Sequence, residues 1–388
     1  MKPIFCKDEK KSENISKLIS ANLTLDYSVF KDVLECGFIL GDKTPFKEIK
    51  REHRIMTNRK SPLTDTKKIK NLFITHLKES MAQAVGEDKK IGLFLSGGID
   101  STSLAIMLSN YFKNLEIHTY TAFFKGNEEE IEGAKEISKK YSFTHHIIEV
   151  NNNDFDKWRE AIKAIGMPIA DEASIPLLKL SEEAHRNGVK VILMGDGNDE
   201  LWCGYNEYYT LKKMKQRISY YSPKLGNFLR KLNIPKIRGI GKLLQYRDWE
   251  ELVKANNSFD LEEIVPHCWL EQRYGIVRYF DMSPKFPFLT QELIDLAYNV
   301  PLSLKLKGSN KWIIKEAIAT VDETILERKK RFMRFPKKEM FKANQDKIKK
   351  TIKNSKLVNY SPFDSYTITH RKFIIALWYE IFIENEKT

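Results

Sequence analysis

The sequence predicts an α/β protein, a doubly wound and mainly parallel sheet followed by a largely helical C-terminal portion. Three observations carry that expectation. Short apolar runs of strand length alternate with amphipathic stripes of helix length from residue 65 to residue 194. A glycine-rich loop falls at one strand-to-helix junction, and beyond Leu201 the strand pattern fades. There Leu, Lys, Ile and Tyr predominate, with breaks at Pro223, Pro235, Pro266, Pro284 and Pro301.

The elements follow in order. Residues 1 to 64 carry strand character at Phe38 to Leu40 and turn signals at Gly41-Asp42 and Thr44-Pro45. They are too few for an independent core and are expected to pack on the larger unit, residues 65 to 388. From Asp65 to Val85, Ile69, Leu72, Phe73, Leu77, Met81 and Val85 form one helical stripe, closed by Gly86. Ile91 to Leu95 then reads as a buried strand and Ser101 to Tyr111 as a helix. The pattern repeats as strand Glu116 to Phe124, helix Glu129 to Tyr141, strand His145 to Val150, helix Ile175 to Asn187 and strand Val189 to Met194. Such alternation implies a parallel sheet whose ligands bind outside the carboxyl ends of the strands.

Composition narrows the class. In 388 residues, 42% hydrophobic and 30% charged side chains give an ordinary globular balance. Cys6, Cys36, Cys203 and Cys268 lack paired spacing, so neither a disulfide framework nor a zinc site is indicated and a cytoplasmic setting is expected. Met1 to Asn14 has no apolar core of a secretory signal, and the longest apolar run, Phe373 to Ile383, is interrupted by Glu380. No membrane partner is expected. The net charge of +13 concentrates in Lys212 to Lys242 and in Arg328 to Lys338. Lysines at helical intervals in the first stretch read as a solvated face, while Arg328-Lys329-Lys330-Arg331 is dense enough for a phosphate-facing loop or a nucleic-acid patch.

Two strings carry chemistry. Ser96-Gly97-Gly98-Ile99-Asp100-Ser101 follows a strand and opens a helix, so its amides, hydroxyls and helix N-terminus can face a phosphate. It matches neither the G-x-x-x-x-G-K-[ST] nor the G-x-G-x-x-G pattern. Gly195-Asp196-Gly197-Asn198-Asp199-Glu200 also follows a strand directly and brings three carboxyl groups. The two strings can meet over one ligand, and together they point to nucleotide chemistry with a metal. His145 and His146 read as packed or capping residues, and Trp202, Tyr205, Tyr208 and Tyr209 as core of the helical half in preference to the lining of a pocket.

The first string resembles the S-G-G-x-D-S signature of the PP-loop ATP pyrophosphatases. Gly195 to Tyr205 resembles the G-[DE]-G-x-D-E-[LV]-F-x-G-Y string of the class B asparagine synthetase family. The order of further landmarks is similar: Pro168, Asp171, Ser174 and Pro176; Pro287-Phe288-Leu289; Lys311 opening a helix; and Arg328, Lys330 and Pro336. The resemblance covers roughly residues 65 to 340 and implies an ATP- and Mg²⁺-dependent ligase. Such an enzyme adenylates a small-molecule carboxylate, releases pyrophosphate and lets ammonia or an amine form the amide. It further implies that Ser96, Gly97, Gly98 and Ser101 hold the pyrophosphate, and that Asp100 and Asp199 coordinate Mg²⁺. Phe94, Ala122, Met194 and Gly195 would contact the nucleotide, although Met194 stands where the family usually has Ser or Thr. Asp196 takes the place of the acidic residue that handles protons, and Lys311 that of the lysine stabilising the charged intermediate.

Departures from the family pattern bear on substrates. Position 2 is Lys rather than the cysteine nucleophile of glutamine-dependent members, and Tyr27 to Ile49 resembles only the tail of a glutaminase domain. Free ammonia, an amine or a separate glutaminase subunit is therefore the expected nitrogen source. Ser283 to Thr290 and Phe332-Met333 also depart from the family strings, which weakens aspartate as the acid and admits others such as a uronic-acid sugar. Two alternatives are a tRNA-modifying PP-loop enzyme and a non-catalytic binding protein on this fold. Asp196 to Glu200 and the Lys311 helix speak against the first, so nucleic acid is not an expected partner.

Overall fold

The computed structural model describes residues 2–20, 22–52, 61–124, 131–220, 248–328 and 336–384. At the centre are five parallel strands in the order β6-β5-β4-β7-β8: β4 (Lys90–Phe94), β5 (Glu116–Phe124), β6 (Thr144–Val150), β7 (Val191–Leu193) and β8 (Ser283–Lys285). The chain leaves β4 for β5 and β6 on one side, then returns to pair β7 with β4 on the other. That reversal opens a crevice at the carboxyl ends of β4 and β7, the usual binding place in an open α/β sheet. The expected α/β architecture is thus present, and helices dominate the described residues after Leu201.

The helices form where the periodicity places them, for identifiable reasons. The helix Thr66–Val85 starts at Asp65, whose carboxylate accepts from the amides of Lys67 and Lys68, and buries Ile69, Phe73, Leu77, Met81 and Val85. The helix Ile99–Tyr111 starts two residues earlier than expected, because Gly98 takes the extended N-cap conformation. Ser101 is therefore in the first turn and not a cap. The helix Ser174–Arg186 covers one face of the sheet and Lys157–Ile165 packs beside it; the latter was not expected from the pattern. The expected helix from Glu129 is described from Glu132 to Lys140, and residues 125–130 lie outside the described residues.

Two expectations are corrected. β8 was not anticipated, since Pro284 in a three-residue segment argues against a strand; it is accommodated because β8 is the sheet edge, where a missing donor is tolerated. Phe38 to Leu40 is bend and coil, not strand. Phe38 and Ile39 are buried in the core, and the N-terminal sheet is instead β2-β1-β3, from Lys10–Ser12, Phe5–Lys7 and Lys50–Arg51. The residues before 65 contribute Phe5, Ile15, Val29, Phe46 and Ile49 to the same apolar core as the central sheet. Trp378 lies against Phe30 and Phe46, with centroids 5.8 and 5.7 Å away, and its indole donates to the carbonyl of Gly166 at 2.9 Å. A buried ion pair, Arg51 Nε to Glu271 Oε1 at 2.6 Å, ties the N-terminal segment to the helix Glu271–Tyr279. Among the described residues no helix is long and apolar enough to cross a membrane.

Candidate active site

A cavity of about 380 Å³ lies over the carboxyl ends of β4, β5 and β7. Of the residues singled out by sequence, Phe94, Ser96, Asp100, Ser101, Ala122, Met194, Gly195, Asp196 and Asp199 line it. Gly97, Gly98 and Lys311 do not. Gly97, at φ +68°, sits where a Cβ would be 2.6 Å from the carbonyl carbon of Gly133 and 2.7 Å from the amide nitrogen of Ala134, so it serves the close packing of the loop. Lys311 is buried behind the carboxylates that face the cavity.

The loop after β4 is braced by its own hydroxyls. Ser96 N donates to Ser101 Oγ at 3.1 Å, and Gly98 N donates to Ser96 Oγ at 3.3 Å. At the end of β4, Leu95 N donates to the carbonyl of Tyr120, while β5 runs on to Phe124 past the cavity wall formed by Tyr120 and Ala122. The second string closes on the first because Gly195 lacks a side chain: a Cβ there would lie 3.0 Å from Asp100 Cβ and 3.2 Å from Ser101 N. Asn198, fully buried, donates from Nδ2 to Asp100 Oδ1 at 2.5 Å. Two segments almost a hundred residues apart are thereby locked together.

The third segment arrives with Lys311. Its Nζ lies 2.5 and 2.6 Å from the two carboxylate oxygens of Asp100 and 2.7 Å from Asp199 Oδ1. The residue holds a left-handed backbone at φ +54° and caps the helix Trp312–Ala319, a strained conformation for lysine that aims the side chain inward. Burial alone would lower the pKa of this ammonium, but the Asp100 and Asp199 carboxylates outweigh it and hold the group above its ordinary value. Beside them Glu200 is 1% exposed, and burial, with Asp199 adding to the rise, pushes its carboxyl up to about 8. The hydroxyl of Tyr205 donates to Glu200 Oε1.

Asp100 and Asp199 offer hard oxygen donors, converging on one cation and both opening into the cavity. Among the described residues no group of three or more His, Cys, Asp and Glu side chains converges as a metal cage. Two carboxylates needing phosphate oxygens to complete the shell fit Mg²⁺ better than a structural metal.

Asp196 points to the other end of the cavity. Its Oδ1 accepts from Arg273 Nε at 2.9 Å, and Arg273 Nη1 also donates to Gln272 Oε1 and lies 3.8 Å from Asp171 Oδ2. Arg273, Trp269 and Tyr120 also line the cavity without any local signal in the sequence, beside Glu200 of the second string and Tyr205. Trp202 and Tyr208 are core, while Tyr205 packs against the core around Tyr208 and also lines the cavity. His145 bonds Thr119 and His146 bonds His118, as packed residues on the sheet. Lys329, Lys330 and Arg331 of the basic string, and Phe332-Met333, lie outside the described residues, as does Lys212 to Lys242 beyond residue 220.

A family model, asparagine synthase, matches residues 73–379. The chain belongs to the asparagine synthase family. It is 28% identical over 251 residues to a putative glutamine-hydrolyzing asparagine synthetase 2 of Methanocaldococcus jannaschii, covering 61% of this chain and 48% of that protein. It is 24% identical over 340 residues to glutamine-hydrolyzing asparagine synthetase 1 of Bacillus subtilis, covering 75% of this chain and 52% of that protein. The chain thus spans about half the length of these two relatives. A solved structure, the U34-tRNA thiolase NcsA of Methanococcus maripaludis with its 4Fe-4S cluster, is 17% identical at a TM-score of 0.28, covering 58% of this chain and 86% of that one. A likeness of that extent decides nothing about chemistry.

Proposed function

We propose that this asparagine synthase family member is an ATP-dependent amide-forming ligase acting on a small-molecule carboxylate. The carboxylate oxygen attacks the α-phosphorus of ATP, the bond to the β-phosphate oxygen breaks, and pyrophosphate leaves. An acyl-adenylate remains. Ammonia or an amine then attacks the acyl carbon, AMP departs with the acyl–oxygen bond, and the nucleophile loses a proton to yield the amide.

The observation that supports this reading is the convergence of Asp100, Asp199 and Lys311, from three remote segments, beside a glycine loop at the floor of one cavity. Acyl-adenylate chemistry asks a protein mainly for positioning and charge neutralisation. Ser96 and Ser101, which line the cavity, are assigned to the pyrophosphate end, with Gly97 and Gly98 shaping the loop behind them, and Lys311 supplies a positive charge beneath it. Asp100 and Asp199 would hold Mg²⁺, which when bound supplies Lewis-acid neutralisation of phosphate oxygens. Phe94, Ala122, Met194 and Gly195 form the nucleotide wall. Asp196, ion-paired with Arg273, is assigned to take the proton released by the attacking amine.

The test is ATP–pyrophosphate exchange with a panel of carboxylates and Mg²⁺, with and without ammonium, followed by mass spectrometry of the product. Exchange that depends on an added acid, and an amide that appears only with ammonium or amine, are the expected results. Asp100→Asn and Asp199→Asn should each abolish exchange. Exchange unchanged in either variant would remove that residue from the metal role, and ATP that binds without exchange for any acid would favour a binding protein.

A further inference from the structure

Building on the adenylation reading, we infer that Arg273 and Trp269 form the acid-recognition end of the cavity, and that the acid is a polyhydroxylated carboxylate of neutral body, a sugar acid, rather than an amino acid. The two residues come from one turn at the junction of the π-helical stretch Asp260–Leu270 and the helix Glu271–Tyr279, and both line the cavity. The Arg273 guanidinium carbon stands 5.7 Å from the centre of the Trp269 ring.

Charge decides what this end can accept. Among the described cavity-lining residues, Asp100, Asp196, Asp199 and Glu200 are acidic and Arg273 is the one cation. Arg273 is already engaged by Asp196, at 2.9 Å, and lies near Asp171, at 3.8 Å. A second carboxylate on the substrate, such as the α-carboxylate of aspartate, would approach a cation whose charge is neutralised and would face Asp196 at the same time. Desolvating an anion there is unfavourable.

Hydrogen-bond chemistry suits a different group. Arg273 turns Nε to Asp196 Oδ1 and Nη1 to Gln272, which leaves Nη2 as a donor with no partner among the described residues. Asp196 Oδ2 is an adjacent acceptor, and both residues face the cavity. A hydroxyl is donor and acceptor at once, so neighbouring hydroxyls satisfy such a pair where a carboxylate or an ammonium satisfies only half of it. Trp269 supplies the apolar face against which the C–H surface of a pyranose can rest. Gln272, fully buried, fixes the register by donating to Ser174 Oγ at 2.7 Å while accepting from Arg273.

The experiment compares D-glucuronate and D-galacturonate with L-aspartate, L-glutamate and succinate in ATP–pyrophosphate exchange with the full chain and Mg²⁺. A sugar acid should exceed the amino acids in kcat/KM by roughly tenfold or more. Arg273→Ala and Trp269→Ala should raise the KM for that sugar acid by roughly tenfold, with the ATP dissociation constant, measured without acid, essentially unchanged. A purely structural role would move the ATP constant as well. Arg273→Gln, which keeps donors while removing the charge, should recover part of the loss. Equal or better exchange with aspartate, or an unchanged sugar-acid KM in Arg273→Ala, overturns the inference and leaves the adenylation reading standing. Exchange with no acid at all overturns both.

Discussion

Gly204→Ala is the most direct probe of whether the Asp100–Lys311–Asp199 cluster is the working centre. Gly204 is outside the cavity lining and has no special backbone angle, so alanine changes nothing there except by adding one methyl group. That methyl carbon would lie 2.0 Å from Asp199 Oδ1 and 2.1 Å from Lys311 Cε. Relief to an ordinary contact of roughly 3.4 Å demands that one or both move by more than about 1 Å. Neither has slack: Lys311 is 2% exposed and its Nζ already spans Asp100 and Asp199 at 2.5 to 2.7 Å. A shift of this size in a positioned group costs on the order of 100-fold in rate, equivalent to about 2.7 kcal/mol. The stability loss from disturbing a buried ion pair should be of similar order, about 1–3 kcal/mol. Exchange kinetics and urea unfolding of the same preparation measure the two effects. A variant that folds and retains wild-type exchange would show that the cluster is structural, and the assignment of Lys311 to the reacting phosphates would fall with it.

Three other outcomes follow from different parts of the molecule. Gly97→Ala should lose exchange and roughly 2–4 kcal/mol of stability, because a positive φ and backbone contacts at 2.6 and 2.7 Å leave no cheap adjustment; urea midpoints and exchange rates check it. Arg51→Met should destabilise by about 3–5 kcal/mol by removing the buried cation that faces Glu271, while Arg51→Met with Glu271→Met should recover part of that; the double mutant staying as unstable as the single would refute a role for the ion pair. Asp322 accepts from Lys140, Tyr141 and Thr324, and these bonds outweigh burial to hold its carboxyl below the usual range. A lowered folded pKa stabilises above the unfolded value near 3.9 and loses that stabilisation as pH falls through the folded one. Asp322→Asn should therefore cost on the order of 1–2 kcal/mol at pH 7 and progressively less below about pH 4, as read from unfolding midpoints. A deficit independent of pH would show that the carboxylate charge is not what matters.

The convergence of the two glycine-containing strings on one cavity was legible in the sequence because they are local strings at strand ends. Ser96 to Ser101 and Gly195 to Glu200 each follow a strand directly, so the sheet alone brings them together. The reason Gly195 must be glycine could not be read, since it depends on Asp100 and Ser101 arriving 3.0 to 3.3 Å from its absent Cβ. β8 was hidden for the opposite reason: local propensity, with Pro284 central, contradicts the strand, and only its edge position permits it. Phe38 to Leu40 misled because a short apolar run has strand character locally, whereas the adjacent Phe38 and Ile39 are both absorbed into the core as irregular chain. Arg273 was illegible because nothing in a helix of ordinary composition distinguishes a surface arginine from one turned onto Asp196 and Asp171.

These differences divide the site by how its parts are fixed. At the phosphate end, Asp100 is gripped by Lys311 and Asn198, Gly195 and Gly204 exclude any bulk, and Asn257 donates to the carbonyl of Glu200 at 2.5 Å. Each contact comes from a different segment, so substitution at one is felt by all, which suits a reaction whose charge pattern is the same for every acid. At the other end, Trp269 lies in the last two residues of a π-helical stretch containing Pro266, and Arg273 in the first turn of the helix that follows. A π-helical turn shifts the following helix face, and so re-aims Arg273 relative to Trp269. On the adenylation reading proposed above, the phosphate chemistry would be held by a cross-braced cluster, while the choice of acid would rest on the short segment from Trp269 to Arg273.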